Sequence, residues 1–513
     1  MLSFDLPAIG ASSEPAFADA LAAHRWVAAL PLAQAQESAV LLREQVLAID
    51  ASSLPVADRL AILDVLRRAA LQLLGSLEAR FSRKPLPPSA DIALAFQDTR
   101  QLWRSFAVAY LRVVPGLLPA AALVPLHRAA VILRQEQYSH FVAAYEVPAE
   151  LYRLLYGILV AAEESDLLRA PVVDPDLGFA EDSHIAGHVA WAFLLQAVDP
   201  YRLSLAQLTV ANRGFSRWRE LAGFQAAPES DPKAKTLSLA TLLPGLVTPE
   251  GGLRWLDVRP VVRKMRKRVE SLEAGESPES LKLGRELSVA GCIALMKLLE
   301  KGLRSTEVPA NRRFLPVHLA FGPEQAYVAI ERRLLNPQGM DSKSEHLSHE
   351  RMAVFGFDHV SGLSVAVHKT EVASEAWELA GDYLWRPAAG KLRHLAPALV
   401  ALVADTPQAC HLGVLVGLRM TEDDRLAGYL RLYRDQPVAA RLRPSGPLGV
   451  KVARIPAFLL PEDGGTYSLV VPPTAGVRPH TGLALDDSPV EHLLVGDVLE
   501  RGSDFVRYAC HAN

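Results

Sequence analysis

From about Ser13 to Leu303 the apolar residues recur at helical spacing. Leu60, Leu63, Leu66, Ala70 and Leu73 form one stripe, and Leu151, Leu154, Leu155, Ile158, Leu159 and Ala162 form another at i, i+3, i+4, i+7 and i+8. Such stripes predict amphipathic helices. Ser13 ahead of Pro15, and Ser277 ahead of Pro278, read as helix starts, because a short oxygen side chain satisfies free amides and proline tolerates the first turn. Breaks are expected at Lys84-Pro85-Leu86-Pro87-Pro88-Ser89 and at Pro228-Glu229-Ser230-Asp231-Pro232-Lys233. No fixed repeat period is evident.

Near Val308 the period falls from 3.6 to 2. Leu315, Val317, Leu319 and Phe321 alternate with other residues, as do Leu363, Val365 and Val367, and Leu412, Val414, Val416 and Leu418. Two closing strands, Glu491 to Leu499 and Asp504 to Cys510, flank Arg501-Gly502-Ser503, and turns are expected at Asp463-Gly464-Gly465 and Pro472-Pro473. Ser374 to Leu384 fits neither period. The pattern predicts an α+β multidomain protein: an all-helical region over 1–306 with a sub-boundary near 226–236, then an antiparallel β-rich region over 307–373 and 374–513.

The chain has 513 residues, which implies two to four domains, and its hydrophobic content of 50% against 22% charged residues is that of a globular protein. A net charge of −3 supplies no overall field toward nucleic acid or an anionic membrane. Cys292, Cys410 and Cys510 are scattered and odd in number, which argues against a disulfide framework and fits the cytoplasm. No leader is expected at Met1-Leu2-Ser3-Phe4-Asp5, and the apolar stretch from Val113 to Leu126 is short and broken by Pro115, Pro119 and Pro125, so no membrane span is expected.

Catalytic signatures are scarce. No Gly-x-Ser-x-Gly elbow, His-Glu-x-x-His or Gly-x-Gly-x-x-Gly is found, and Gly390-Lys391 is followed by Leu392 where a phosphate loop needs Ser or Thr. His184 and His188, behind Glu181 and Asp182, have the i, i+4 spacing of a metal pair, against the plainer reading that His188 packs beside Trp191. His346 and His349 read as loop residues. The most basic stretch carries Arg259, Arg263, Lys264, Arg266, Lys267 and Arg268 around an apolar stripe; it could hold anions, or be a solvated helix balanced by Glu270, Glu273, Glu276 and Glu279. Arg312 and Arg313 precede the first expected strand, where guanidinium forks could hold phosphate or stack on a base, or simply be exposed linker charges.

Several segments carry a family resemblance: Trp26-Val27-Ala28-Ala29-Leu30-Pro31-Leu32-Ala33, Asp199-Pro200-Tyr201-Arg202-Leu203, Arg268-Val269-Glu270-Ser271-Leu272 leading into Leu281-Lys282-Leu283-Gly284, and Gly496-Asp497-Val498-Leu499-Glu500-Arg501-Gly502-Ser503-Asp504-Phe505. Together they resemble proteobacterial proteins with a PilZ-like C-terminal region. The resemblance implies small β-barrels, cyclic di-GMP signalling, and ligand binding through an Arg-x-x-x-Arg pair before the barrel and an Asp/Asn-x-Ser-x-x-Gly turn. This chain departs from both patterns: Arg312 and Arg313 are followed four positions on by Pro316 and Val317, and the turn motif is absent.

Three readings follow. The first is a non-enzymatic regulatory or scaffold protein with a degenerate PilZ-like module and a protein partner. The second is a cyclic-dinucleotide receptor with non-standard residues, Arg312 and Arg313 being the candidates. The third is a metal-dependent enzyme at His184 and His188. No cofactor is expected.

Overall fold

The computed structural model describes residues 4–10, 14–177, 183–228, 236–243, 246–248, 252–304, 313–332, 372–389, 392–404, 409–434, 436–443, 454–462 and 466–512. Leu363 to Val367, His346, His349, Glu181, Asp182, Arg312, Lys391, Ser13 and the turn at 463–465 lie outside these residues. The chain divides into a helical unit, Met1–Asn311 with 391–393 and 419–425, and a β unit holding the rest from Arg312 onward.

The helical unit begins with α1 (Ala20–Ala28), α2 (Ala35–Ala51), α3 (Val56–Phe81), α4 (Ala90–Arg112), α5 (Pro119–Ala143), α6 (Ala149–Glu164), α7 (Ile185–Ala197) and α8 (Leu205–Trp218). The first stripe lies on α3, with Leu63, Leu66, Ala70 and Leu73 buried, and the second is buried throughout on α6. Capping follows chemistry: the Asp19 carboxylate accepts from Ala22, and Ser204 and Gln207 form a reciprocal capping box ahead of α8. The expected break at 84–89 joins α3 to α4.

α5 is buried on every side, so its polar residues lie in the core. Arg104 on α4 meets Glu136 in a bidentate pair at 3.0 and 2.9 Å, and Gln137 donates to the Ala192 carbonyl at 2.9 Å. The fully buried Arg67 on α3 grips Asp174 with two bonds of 3.1 and 3.0 Å. These pairings let charges lie inside, since a buried ion left alone would cost several kcal/mol.

After α8 the chain forms a small antiparallel sheet in the order β1 (Gly223–Gln225), β3 (Trp255–Asp257), β2 (Thr236–Ser238), with the short α9 (Leu239–Leu242). This sheet modifies the all-helical expectation, because strands of three residues are too short to register a period of 2. α10 (Arg259–Glu273) and α11 (Val289–Arg304) complete the unit as a packed pair. The helix start expected at Ser277 is a turn instead, with the Ser280 amide donating to the Ser277 hydroxyl at 3.1 Å.

The β unit holds two closed six-stranded barrels. The first uses β4 (Leu315–Phe321), β5 (Glu375–Ala380), β6 (Tyr383–Pro387), β7 (Ala398–Val403), β8 (His411–Met420) and β9 (Arg425–Leu432) in the order β4-β5-β6-β9-β8-β7. The second uses β10 (Val438–Leu442), β11 (Ile455–Pro461), β12 (Tyr467–Val471), β13 (Gly482–Asp486), β14 (His492–Arg501) and β15 (Val506–Ala512) in the order β10-β11-β12-β15-β14-β13. The two orders are the same, first-second-third-sixth-fifth-fourth. Closure removes open sheet edges.

β4 pairs with β5 from Leu315↔Leu379 to Leu319↔Glu375, so the boundary expected between residues 373 and 374 falls inside the first barrel. Local pattern does not encode that long-range closure. Ser374 to Leu384 is the β5–β6 hairpin, turned at Gly381 with a φ of 66° that glycine adopts without strain. Between β4 and β5 lies α12 (Gly322–Glu331), which packs on β4 and β7 of one barrel and on β10 and β11 of the other. One core joins Tyr327 of α12, Leu399 and Val414 of the first barrel, and Phe458, Val470 and Phe505 of the second. The second barrel keeps its own interior around Leu459, Leu469 and Leu493.

Candidate functional site

β9 ends at Leu432, and the chain reaches β10 through a short connection held by the Tyr433 amide, which donates to the Leu412 carbonyl at 3.0 Å. There, within the β unit, a cavity of ≈ 490 Å³ opens, lined by Arg431, Tyr433, Arg434, Pro461, Glu462 and Arg507. A volume of this size accommodates a nucleotide-sized molecule.

Each wall comes from a different strand. Arg431 closes β9, Glu462 follows β11, and Arg507 lies on β15 opposite Val470 of β12 and Glu500 of β14. The Arg507 guanidinium carbon is 4.9 Å from the Tyr433 ring centre and that of Arg431 is 6.0 Å away, so two cations lie near the aromatic ring. Arg507 donates through Nε to the Ser468 hydroxyl at 2.8 Å and through Nη2 to Glu462, and Ser468 donates to Glu462 at 2.6 Å. Arg431 donates to Glu500. Arg434 is exposed and has no partner among the described residues.

The electrostatics follow from these contacts. Burial works to raise the Glu462 carboxyl, but hydrogen bonds from Ser468 and Arg507 outweigh it and hold the group below the usual range. Burial, reinforced by the Glu500 carboxylate, pushes the Tyr433 phenol up, so it stays protonated. Three guanidinium groups against two carboxylates leave the cavity cationic. Forked donors around an aromatic face suit phosphate oxygens and a stacked planar base.

Those expected site residues that the structure describes lie elsewhere. Arg313 is exposed ahead of β4 and does not line the cavity. His184 is the N-cap of α7: its Nδ1 accepts from the Gly187 amide at 2.9 Å, and its Nε2 faces Glu220. His188 is buried, 5.0 Å from His127 ring to ring, and both present Nε2 to the Ser183 hydroxyl, at 3.2 and 2.8 Å. Among the described residues no group of three or more His, Cys, Asp or Glu side chains is arranged to hold a metal ion. Arg259 pairs with Asp257 and Arg266 with Glu300, while Arg263 and Lys267 are exposed on α10. A second cavity, in the helical unit, measures ≈ 150 Å³, and its arginines Arg104 and Arg112 already face Glu136, Glu150 and Asp50.

Sequence reasoning missed Arg431, Arg434 and Arg507. The signal was the Arg431-x-x-Arg434 pair at the end of β9 and in the connection to β10, as Arg312 and Arg313 precede the first expected strand in the sequence.

Residues 21–229, from α1 through β1, match the family model described as the N-terminal domain of the cyclic-di-GMP receptor FimW. The helical region is similar to that FimW domain. No curated protein and no solved structure matches the chain. The FimW-type span stops short of the barrels, whose six-stranded closure is consistent with a PilZ-like C-terminal region. No helix among the described residues is long and apolar enough to cross a membrane.

Proposed function

We propose that this chain is a non-enzymatic regulatory receptor of cytoplasmic second-messenger signalling, and that it takes a cyclic dinucleotide in the cavity ahead of the second barrel. The carrying observation is one cavity lined by Arg431, Arg434 and Arg507, with the guanidinium groups of Arg431 and Arg507 near the Tyr433 ring. Two phosphates would each meet forked donors, and a base would stack on the ring or on a guanidinium plane. The match of residues 21–229 to a cyclic-di-GMP receptor's domain supports the choice of ligand, with cyclic di-GMP the first to try. In this reading the helical region recruits a protein partner and the barrels report ligand occupancy to it.

One observation favours a second reading, a regulatory scaffold whose barrels take no nucleotide: Arg431 and Arg507 already face Glu500 and Glu462. A ligand phosphate has to replace those carboxylates.

Equilibrium dialysis of the full chain against cyclic di-GMP, cyclic di-AMP and GMP separates the two. The receptor reading expects retention of at least one cyclic dinucleotide near one per chain, at least about tenfold tighter than GMP, because two phosphates engage more of the three arginines than one does. No retention of either cyclic dinucleotide leaves the scaffold.

A further inference from the structure

α10 carries its charges in the order that least suits a helix. Six bases, Arg259, Arg263, Lys264, Arg266, Lys267 and Arg268, fill its first ten positions, and its two acids, Glu270 and Glu273, come last. The first turn has no acid and the last turn has no base. Helix amides point their positive end at the N-terminus, so bases there and acids at the other end both oppose the dipole. Like charges also face each other at i, i+4 in the pairs 259 and 263, 263 and 267, and 264 and 268, and each such pair is destabilising.

Two of the bases are neutralised: Arg259 by Asp257 at 2.8 Å, and Arg266 by Glu300 at 2.7 Å. Arg263 acts on Asp257 through charge alone, and Lys264, Lys267 and Arg268 form no ion pair with a carboxylate among the described residues. They run along two turns, with Arg263 and Lys267 exposed. Stability does not account for the arrangement. An anionic partner does, because it would relieve both the repulsion and the dipole mismatch.

Chemistry narrows the partner. The apolar face of α10, with Val261, Val262, Met265 and Leu272, is buried, so the helix has no free apolar stripe to sink into a bilayer. α10 has no aromatic residue on which a single-stranded base could stack. The remaining match is geometric: bases paired at i, i+4 on one helix face carboxylates at i, i+4 on another. We propose that the Arg263–Lys264–Lys267–Arg268 ridge of α10 docks an acidic helical segment of a partner protein. This site is independent of the nucleotide cavity.

The test uses the full chain and a labelled helical peptide of about 20 residues with glutamates at i, i+4, read by fluorescence anisotropy at low and high salt. Labelled single-stranded DNA and vesicles containing anionic phospholipid are run in parallel. The wild type is expected to bind the peptide more tightly than either alternative, and Arg263→Glu with Lys267→Glu to weaken that binding at least about tenfold. The same double variant is expected to keep Tm within about 2 °C of wild type, because both positions are exposed and lie inside the helix, away from its ends. Arg263→Lys with Lys267→Arg should retain binding. Tighter binding to DNA or vesicles overturns the proposal, as does equal peptide binding by the reversed variant. A fall in Tm of the reversed variant well beyond that range overturns it too, since the ridge would then be structural.

Discussion

His127 on α5 and His188 on α7 meet edge to face, and each turns Nε2 to the hydroxyl of Ser183. Burial, with the nearby Arg128 charge, pushes His127 down to about 3, and burial carries His188 well below its ordinary value. Both are neutral in the folded state at pH 7. A histidine depressed in this way contributes stability that is complete above the unfolded value near 6.5 and is lost as pH falls toward about 3. For His127 the loss is about 2 kcal/mol by about pH 5. Burial raises Glu78 to about 7, which acts in the opposite sense between about pH 7 and 4.5, so only a comparison of variants isolates the histidine. Denaturant titrations of His127→Gln from pH 7 to 5 should lose less stability than wild type by that amount; parallel pH profiles would contradict the assignment. The sequence showed His184 and His188 because they lie four positions apart. It could not show that the partners of His188 are His127 and Ser183, since that meeting depends on how α5 and α7 pack.

At the scale of elements, strands whose apolar residues alternate were legible and strands that read as an unbroken apolar run were not. β4, β8, β14 and β15 lie where alternation predicts them. β11 is buried on both sides, with Phe458 and Leu460 facing the core shared with α12 and Leu459 facing the second barrel's own interior, so its apolar run shows no period. α5 escaped amphipathic analysis for the same reason, and the stripes on α3 and α6 were plain because one face of each stays wet. α12 makes the two barrels one folding unit: Tyr327 is fully buried and receives a hydrogen bond from Nε of Arg441 on β10 at 3.0 Å. Tyr327→Ala should cost about 3–5 kcal/mol, as large-to-small aromatic changes in cores do. Amide exchange should then quicken together in β7 and β8 of the first barrel and in β10 and β11 of the second. Quickening confined to one barrel would show that the core is not shared.

For the whole molecule, the switch of period near Val308 revealed a helical front and a β-rich back. That the back is two barrels of identical strand order was not visible, because order is set by pairings between strands far apart in sequence. This is also why Arg431, Arg434 and Arg507 were not singled out from the sequence. Looking for arginines ahead of one barrel leads to Arg312 and Arg313; knowing that there are two leads to Arg431 and Arg434, and only closure of the second barrel brings Arg507 to them. Function then rests on whether that cavity exchanges its own carboxylates for the phosphates of a ligand. Isothermal titration calorimetry of cyclic di-GMP into the full chain and into Arg434→Ala and Arg507→Ala, all verified as folded by circular dichroism, tests this most directly. Binding by the wild type and a loss of about 10-fold or more in each variant, the size of a lost charge-assisted contact, is the predicted result. Binding that is absent from the wild type, or unchanged when both arginines are removed, would contradict it.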